Sequence, residues 1–233
     1  MTTKTHRADT AGTASGLPSA ARRTPEVADA GTPPERTPVQ DLAAFHLRMA
    51  GTGAAVVGPG GHALVPTDAL DSIEHLVVDG QRLRRNPAAE TVVLLRPLDD
   101  VVALRSGLPV PGTELDAACL VALAGVRHAW SQALLRSVVA HLGNRTSGDR
   151  LLLDQQLVQG ALADAVIGQR ENETCLGADG AEPGELRLLH DRITEVDRTL
   201  LRLTGAHGFT ADGPGRTAHL SELVSHLYVR GEG

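Results

Sequence analysis

The spacing of the hydrophobic residues changes at Pro111, and this change most constrains the fold. After it, apolar residues recur every three or four positions almost to the end of the chain, as on one face of an α-helix. Turn-forming residues divide this stretch into four segments, at about 115–143, 150–170, 185–204 and 216–229. Thr113 or Asp116 can cap the first of them. Four helices with one apolar stripe each predict a mainly α fold, a four-helix bundle over 111–233.

The residues before Pro111 predict two further regions. Residues 1–38 are Thr, Ala, Pro, Ser, Gly and charged residues, which bury too little apolar surface to offset the entropy of ordering, so we expect a disordered tail. Residues 39–110 predict a short helix, at 39–50, followed by a small β-rich region at about 53–105. This region has too few strands for a complete sandwich or barrel.

Composition excludes several classes of function. The formal net charge of −6 disfavours a nucleic-acid surface. Two cysteines form neither a disulfide framework nor a metal-ligand spacing, which favours a reducing cytoplasm. No apolar run approaches the roughly 20 residues of a membrane helix, and no secretory signal is visible. The Ala-, Gly- and Arg-rich, Lys-poor composition fits a high-GC bacterial source. The late histidines lack the spacing of a metal site, so we expect no metal.

Three motifs occur in order along the helical half. An Arg follows the first helix, a Gln-rich segment follows that, and GAHGFTADGP joins the last two helices. Their residues are Arg145; Gln156, Gln159, Ala163 and Asp164; and Gly205, Gly208, Phe209, Thr210, Asp212 and Pro214. Over about residues 112–230 this order resembles the C-terminal helical domain of the acyl-CoA dehydrogenase family. The resemblance implies a truncated, degenerate member of that family.

The resemblance also implies a cofactor site. In the family the glycine turn lies near the pyrophosphate of FAD, so FAD is the expected cofactor. The expected cofactor-binding residues are Arg145, Gln156, Gly205, Ala206, Gly208 and Phe209. Two alternatives remain open: the glycines serve only the turn between helices, with Phe209 packed in the core, and Arg145 forms an ion pair with Asp149.

The chain departs from the family at the catalytic base. Most members carry a Glu after the Tyr near the end of the last helix, but Val229 follows Tyr228 here. In some members the Glu lies on the first long helix of the bundle, at the position of Cys119. A hydrocarbon cannot accept a proton, and Cys119 within an apolar stripe is expected to be a buried thiol with a raised pKa. The catalytic residues are therefore unknown.

Three functions fit these observations. The first is an acyl-CoA dehydrogenase-like subunit, flavin-associated or catalytically silent, in a homo-oligomer or a hetero-oligomer with a full-length homologue that acts on an acyl thioester. The second is an independent enzyme with altered chemistry on the same scaffold. The third is a non-enzymatic helical interaction module. Flavin retention favours the first or a flavin-using form of the second.

Overall fold

The computed structural model describes residues 36–95, 98–108, 112, 114–178, 180–210 and 213–230. The tail predicted to be disordered lies outside the described residues as far as position 35. Of its last three residues, Thr37 caps the first helix and Pro38 is the first residue of that helix. Thr113 and Asp212 also lie outside them.

Helix α1 spans Pro38–Ala50 and confirms the predicted short helix. A capping box fixes its start: the Thr37 hydroxyl accepts from the Gln40 N–H at 3.3 Å, and the Gln40 side chain accepts from the Thr37 N–H at 3.0 Å. Leu42 and Phe45 then point into the core.

The β region consists of two three-stranded sheets. The first has the order β1-β3-β4, with β1 and β3 parallel, and the second is the antiparallel sheet β2-β6-β5. The Asp79–Gly80 turn between β3 and β4 has φ values of +50° and +70°, as a two-residue hairpin loop requires. The strands are β1 Ala54–Val56, β2 His62–Pro66, β3 His75–Val78, β4 Gln81–Arg84, β5 Thr91–Leu95 and β6 Leu98–Arg105.

Two side chains from outside the sheets join β1 to β2. His46 on α1 donates from Nε2 to the Leu64 carbonyl at 2.7 Å and accepts the Val56 N–H on Nδ1 at 3.1 Å. The Tyr228 hydroxyl accepts the Leu64 N–H at 2.8 Å and donates to the Val56 carbonyl at 3.4 Å. We call this group the sheet junction. It satisfies the backbone N–H and C=O groups of Val56 and Leu64, on the facing edges of the two sheets.

The helical half confirms the predicted four-helix bundle. Asp116 caps its first helix, since its carboxylate accepts the Cys119 N–H at 2.7 Å. The last helix ends in a π-helical segment that carries Tyr228. The elements are α2 Ala117–Gly143, the hairpin strands β7 Thr146–Ser147 and β8 Arg150–Leu151, α3 Gln156–Leu176, α4 Pro183–Thr204, α5 Gly215–Val224 and the π-helix Ser225–Arg230.

Helix α2 forms the centre of the bundle. It is 27 residues long and apolar enough, by length and composition, to cross a membrane, although the sequence predicts no such helix. Of its most apolar window, 56% is buried inside the protein, where α2 packs against the other helices. A helix at the centre of a bundle is apolar on more than one side and can have the same composition.

The predicted helix at 150–170 is wrong at both ends. Gly148, with φ of +62°, and Asp149 form a two-residue turn, so residues 146–151 pair as a hairpin instead of starting a helix. Helix α3 begins at Gln156 and continues to Leu176, beyond the predicted end at about residue 170.

Candidate functional site

The turn between α4 and α5 depends on four glycines, one of which, Gly213, has no room for a Cβ beside the carbonyl oxygen of His207. Gly205 ends α4 with φ of +54°, in the left-handed region that favours glycine. Gly208 is buried, and a Cβ there would overlap the Thr204 hydroxyl. A Cβ on Gly215 would overlap the carbonyl oxygen of Gly208. The glycines therefore let the start of α5 lie directly on the backbone of the 205–209 turn.

Phe209 does not pack onto the bundle. Its side chain is 80% exposed, so the prediction that it anchors the turn in the core is wrong. The reason lies in the short 3₁₀ turn, Gly205–Phe209, which directs the buried Gly208 inward and the next side chain outward. Of the four aromatic residues of the chain, Phe45, Trp130 and Tyr228 are buried.

The other expected cofactor-binding residues lie on the surface at the same end of the bundle. Ala206, Arg145 and Gln156 are exposed. The His207 ring of the turn stacks on His141 near the end of α2, with ring centroids 4.2 Å apart. Burial, followed by the charges of His207 and Arg145, lowers the pKa of His141. Among the described residues Arg145 forms no ion pair, with Asp149 or any other carboxylate.

A cleft of about 290 Å³ opens beside Gly208 and Phe209. Leu201 and Ala218 form its apolar wall, and ion pairs join Arg198 to Glu222 and Arg216 to Asp100 near its rim. The cleft is smaller than a flavin dinucleotide requires, so it can hold only part of such a molecule.

A buried guanidinium lies below this cleft. Arg127 on α2 has no exposed surface. Its Nε donates to the Ser221 hydroxyl at 3.0 Å, Nη1 to the His190 ring at 2.8 Å and to the His190 carbonyl at 3.0 Å, and Nη2 to the Thr194 hydroxyl at 2.7 Å. Because the His190 Nε2 faces the Leu120 carbonyl at 3.1 Å, it must donate there, and Nδ1 accepts from Arg127. His190 is therefore neutral, and burial followed by Arg127 lowers its pKa to about 3.

Asp197 on α4 supplies the negative charge of this network. The Ser221 hydroxyl donates to its Oδ2 at 3.2 Å, which links the carboxylate to Arg127 through one side chain. Burial raises the pKa of Asp197 to about 6, against the opposing effects of Ser131, Arg127 and Ser221. Burial also lowers the pKa of Arg127, to about 10, so the guanidinium stays charged at neutral pH. The polar network thus connects α2, α4 and α5 inside the bundle.

Sequence reasoning missed this network, although a signal for it exists. His190, Thr194 and Asp197 recur at four- and three-residue spacing on α4, beside the apolar stripe. Arg127 interrupts the apolar residues of α2. When one helix has polar residues at helical spacing and another apolar helix has a single charged residue, the pattern indicates a buried hydrogen-bond network between the two helices.

The two positions where a catalytic Glu was considered are both buried. Val229 packs in an apolar cluster with Leu120, Leu189 and Ile193. Burial, followed by the charge of Asp116, raises the pKa of the Cys119 thiol to about 12. Tyr228 is fully buried in the sheet junction. The described residues contain no group of three or more His, Cys, Asp or Glu side chains that could hold a metal ion.

Comparison with known proteins gives the fold. No family model matches the sequence, and no curated protein matches it. Solved structures of acyl-CoA dehydrogenases do match, over about 75–85% of this chain. A variant of the Tcur3481-Tcur3483 steroid ACAD aligns with 77% of the chain at 21% identity and a TM-score of 0.52.

Two further structures give the same result. FkbI, for biosynthesis of the methoxymalonyl extender unit of the Fk520 polyketide, aligns with 83% of the chain at 20% identity and a TM-score of 0.52. A glutaryl-CoA dehydrogenase from Mycobacterium smegmatis, in complex with FADH2, aligns with 74% at 18% identity and a TM-score of 0.50. The chain spans 58%, 76% and 56% of the lengths of these three proteins. The acyl-CoA dehydrogenase-like fold predicted from the motifs is confirmed.

Proposed function

We propose that this chain, which has the acyl-CoA dehydrogenase-like fold, is a partner subunit of an acyl-thioester oxidoreductase. A full-length homologue supplies the catalytic carboxylate, and this chain supplies a helical bundle that assembles with it. The chain is flavin-associated or catalytically silent, and it works in the cytoplasm of a bacterium, in lipid or secondary metabolism.

The main support for this proposal is the absence of a catalytic base at Val229 and Cys119. Removal of an α-proton from an acyl thioester needs a group that accepts a proton near neutral pH. Val229 is 7% exposed inside an apolar cluster, and the thiol of Cys119, with a pKa of about 12, stays protonated. The bundle around these two positions is nevertheless well packed. A scaffold that keeps its packing without its base suits a subunit whose role is assembly.

The exposed surface at the turn supports an association with flavin. Gly205, Ala206 and Phe209 are exposed, as are Arg145 and Gln156 at the same end of the bundle. An arginine can pair with a pyrophosphate, and a glycine turn permits close approach of backbone N–H groups. FAD is therefore the proposed cofactor, and the glutaryl-CoA dehydrogenase that shares this fold is complexed with FADH2.

The visible absorption spectrum of the purified chain tests the proposal. It should be recorded for the chain alone and after co-expression with a full-length acyl-CoA dehydrogenase homologue from the same source. A flavin band in the lone chain supports the flavin-associated form. A colourless chain that co-purifies with a yellow homologue supports the silent form. A colourless chain that binds no such homologue contradicts the proposal.

Substitution of Arg145 by Ala tests the assignment of the cofactor contact. If Arg145 pairs with the pyrophosphate, R145A should weaken flavin retention by about tenfold or more, as expected for loss of a charge-assisted hydrogen bond. Arg150 is the matched control, because it is also exposed and lies across the same hairpin. Equal flavin retention in R145A and R150A would show that the assignment is wrong.

A further inference from the structure

Strand β5 is an open edge of the second sheet. Its one strand partner is β6, because the order of the sheet is β2-β6-β5. Val92 is 42% exposed, Val93 49% and Leu94 63%. Adjacent residues of a strand point to opposite faces, so both faces of β5 are uncovered. Among the described residues, none bonds to the backbone groups that point away from β6.

The opposite edge of the same sheet is closed. At Leu64 on β2 the N–H bonds to the Tyr228 hydroxyl and the carbonyl accepts from His46. An edge strand offers unpaired N–H and C=O groups to other chains, and natural proteins protect such edges with charges, Pro, bulges or a covering element. The β5 sequence TVVLL has no charge and no Pro, and its ladder to β6 is regular from Thr91 to Leu94, with a register shift only between Leu94 and Leu95. The β2 edge of this sheet is therefore covered by side chains, whereas the β5 edge is not covered by any described residue.

The sequence of β5 fits a second copy of itself. An antiparallel pair centred on Val93 places Val93 opposite Val93 and Val92 opposite Leu94, within the part of β5 that precedes the register shift between Leu94 and Leu95. Every cross-strand pair then joins β-branched or apolar side chains, which stabilise antiparallel strands. No like charges meet, since the neighbouring Glu90 is buried in an ion pair with Arg85 at 2.7 Å. A contact of this kind is isologous, so it closes after two copies.

We propose that two copies of this chain pair through β5, antiparallel about Val93, and form a continuous six-stranded sheet. The contact is one short strand, so we expect a reversible, concentration-dependent dimer. Each copy has a net charge of −6, and added salt screens their mutual repulsion. Dimerisation should therefore strengthen with salt, whereas an association held by ion pairs would weaken. This inference does not rest on the proposed function, because the lone chain without flavin or homologue is sufficient.

Sedimentation velocity over a range of concentrations tests the dimer with charge-reversal variants. V93K and V93E each place like charges opposite each other in a dimer. Each variant alone should therefore dimerise at least about tenfold more weakly than the wild type. An equimolar mixture of V93K and V93E should recover association, because residue 93 then faces an opposite charge. L188K is the matched control, because Leu188 is 59% exposed but lies on α4. It should dimerise like the wild type.

Three results would overturn the inference. The first is a wild type that stays monomeric at every concentration. The second is a dimer that V93K and V93E leave unchanged. The third is a mixture of the two variants that dimerises no better than either alone, which excludes a register centred on Val93. None of these results bears on flavin or on a full-length homologue, so the proposed function is tested separately.

Discussion

The charged guanidinium of Arg127 is fully buried, and hydrogen bonds to its neighbours compensate for the loss of water around it. Four hydrogen bonds from its guanidinium end on Ser221, His190 and Thr194, and Asp197 balances its charge through Ser221. Removal of one partner of such a group leaves the other charge buried and uncompensated, which is costlier than never having either. The network therefore holds α2, α4 and α5 in one relative arrangement.

We expect R127M to destabilise the protein by about 3–5 kcal/mol, because Asp197 loses its balancing charge while the apolar stem is roughly kept. Urea denaturation measures the free energy of unfolding. R170M is the control: Arg170 is 75% exposed in a surface ion pair with Glu173, and its loss should cost less than about 1 kcal/mol. A similar small cost for R127M would show that the network contributes little.

Gly208 makes a second prediction at this scale. We expect G208A to lose about 1–3 kcal/mol, because its Cβ would overlap the buried Thr204 hydroxyl and force a shift of the turn. G160A on the exposed part of α3 meets nothing within 4 Å and should gain about 0.5–1 kcal/mol from helix propensity. Thermal unfolding of both variants measures the contrast. If G208A is as stable as G160A, the close approach at the turn is not required.

Elements differ in how far the sequence predicts them. The helices of the bundle follow from apolar residues at three- and four-residue spacing, since packing on a core needs one stripe per helix. The hairpin at 146–151 was missed because only the Gly148–Asp149 pair signals it. The exposure of Phe209 was missed because a chain with only four aromatic residues is expected to bury each of them in its core. Burial depends on the path of the turn, which local sequence does not specify.

The sheet junction predicts a pH dependence at the scale of α1 and the sheets. Burial, partly offset by the Leu64 carbonyl, lowers the pKa of His46 from 6.5 to about 4. Between these values the unfolded chain binds the extra proton, so this contribution to stability is present above about pH 6.5 and is lost as the pH falls towards 4. The loss amounts to about 3 kcal/mol at most.

The variant H46Q isolates this contribution, because an amide keeps one donor and one acceptor but does not titrate. Urea denaturation at neutral pH and near pH 4 measures both proteins. The wild type should lose more stability on acidification than H46Q. Parallel losses in the two proteins would mean that protonation of His46 does not disrupt the junction.

At the scale of the whole molecule, the ends of the described chain tie sheet and bundle together. Tyr228 ends the bundle and bonds to both sheets, and the Trp130 Nε1 on α2 donates to Asp41 on α1 at 2.8 Å. The resemblance to acyl-CoA dehydrogenases predicts the bundle, but no motif predicts the contacts of His46 and Tyr228. These contacts form only when α1, β1, β2 and the π-helix pack together in the folded protein.

We expect unfolding to be one cooperative transition, because these contacts leave no part free to unfold alone. The fluorescence of Trp130 and the far-ultraviolet circular dichroism should change with the same midpoint. Y228F removes the hydroxyl of the junction and should lower stability by about 1–2 kcal/mol, since the Leu64 N–H loses its partner. Two separate midpoints in the wild type would contradict this coupling.

The sheet junction also bears on the order in which the chain can be completed during synthesis. His46 precedes its partners closely, by 10 residues for Val56 and by 18 for Leu64. Tyr228 comes 164 residues after Leu64, so its hydroxyl reaches β2 on the order of ten seconds or more after that strand leaves the ribosome. Throughout that interval the Leu64 N–H on the edge of β2 lacks its partner, although the Leu64 carbonyl can already accept from His46. The nascent chain therefore carries two strand edges with unpaired backbone groups, and the last helix closes one of them.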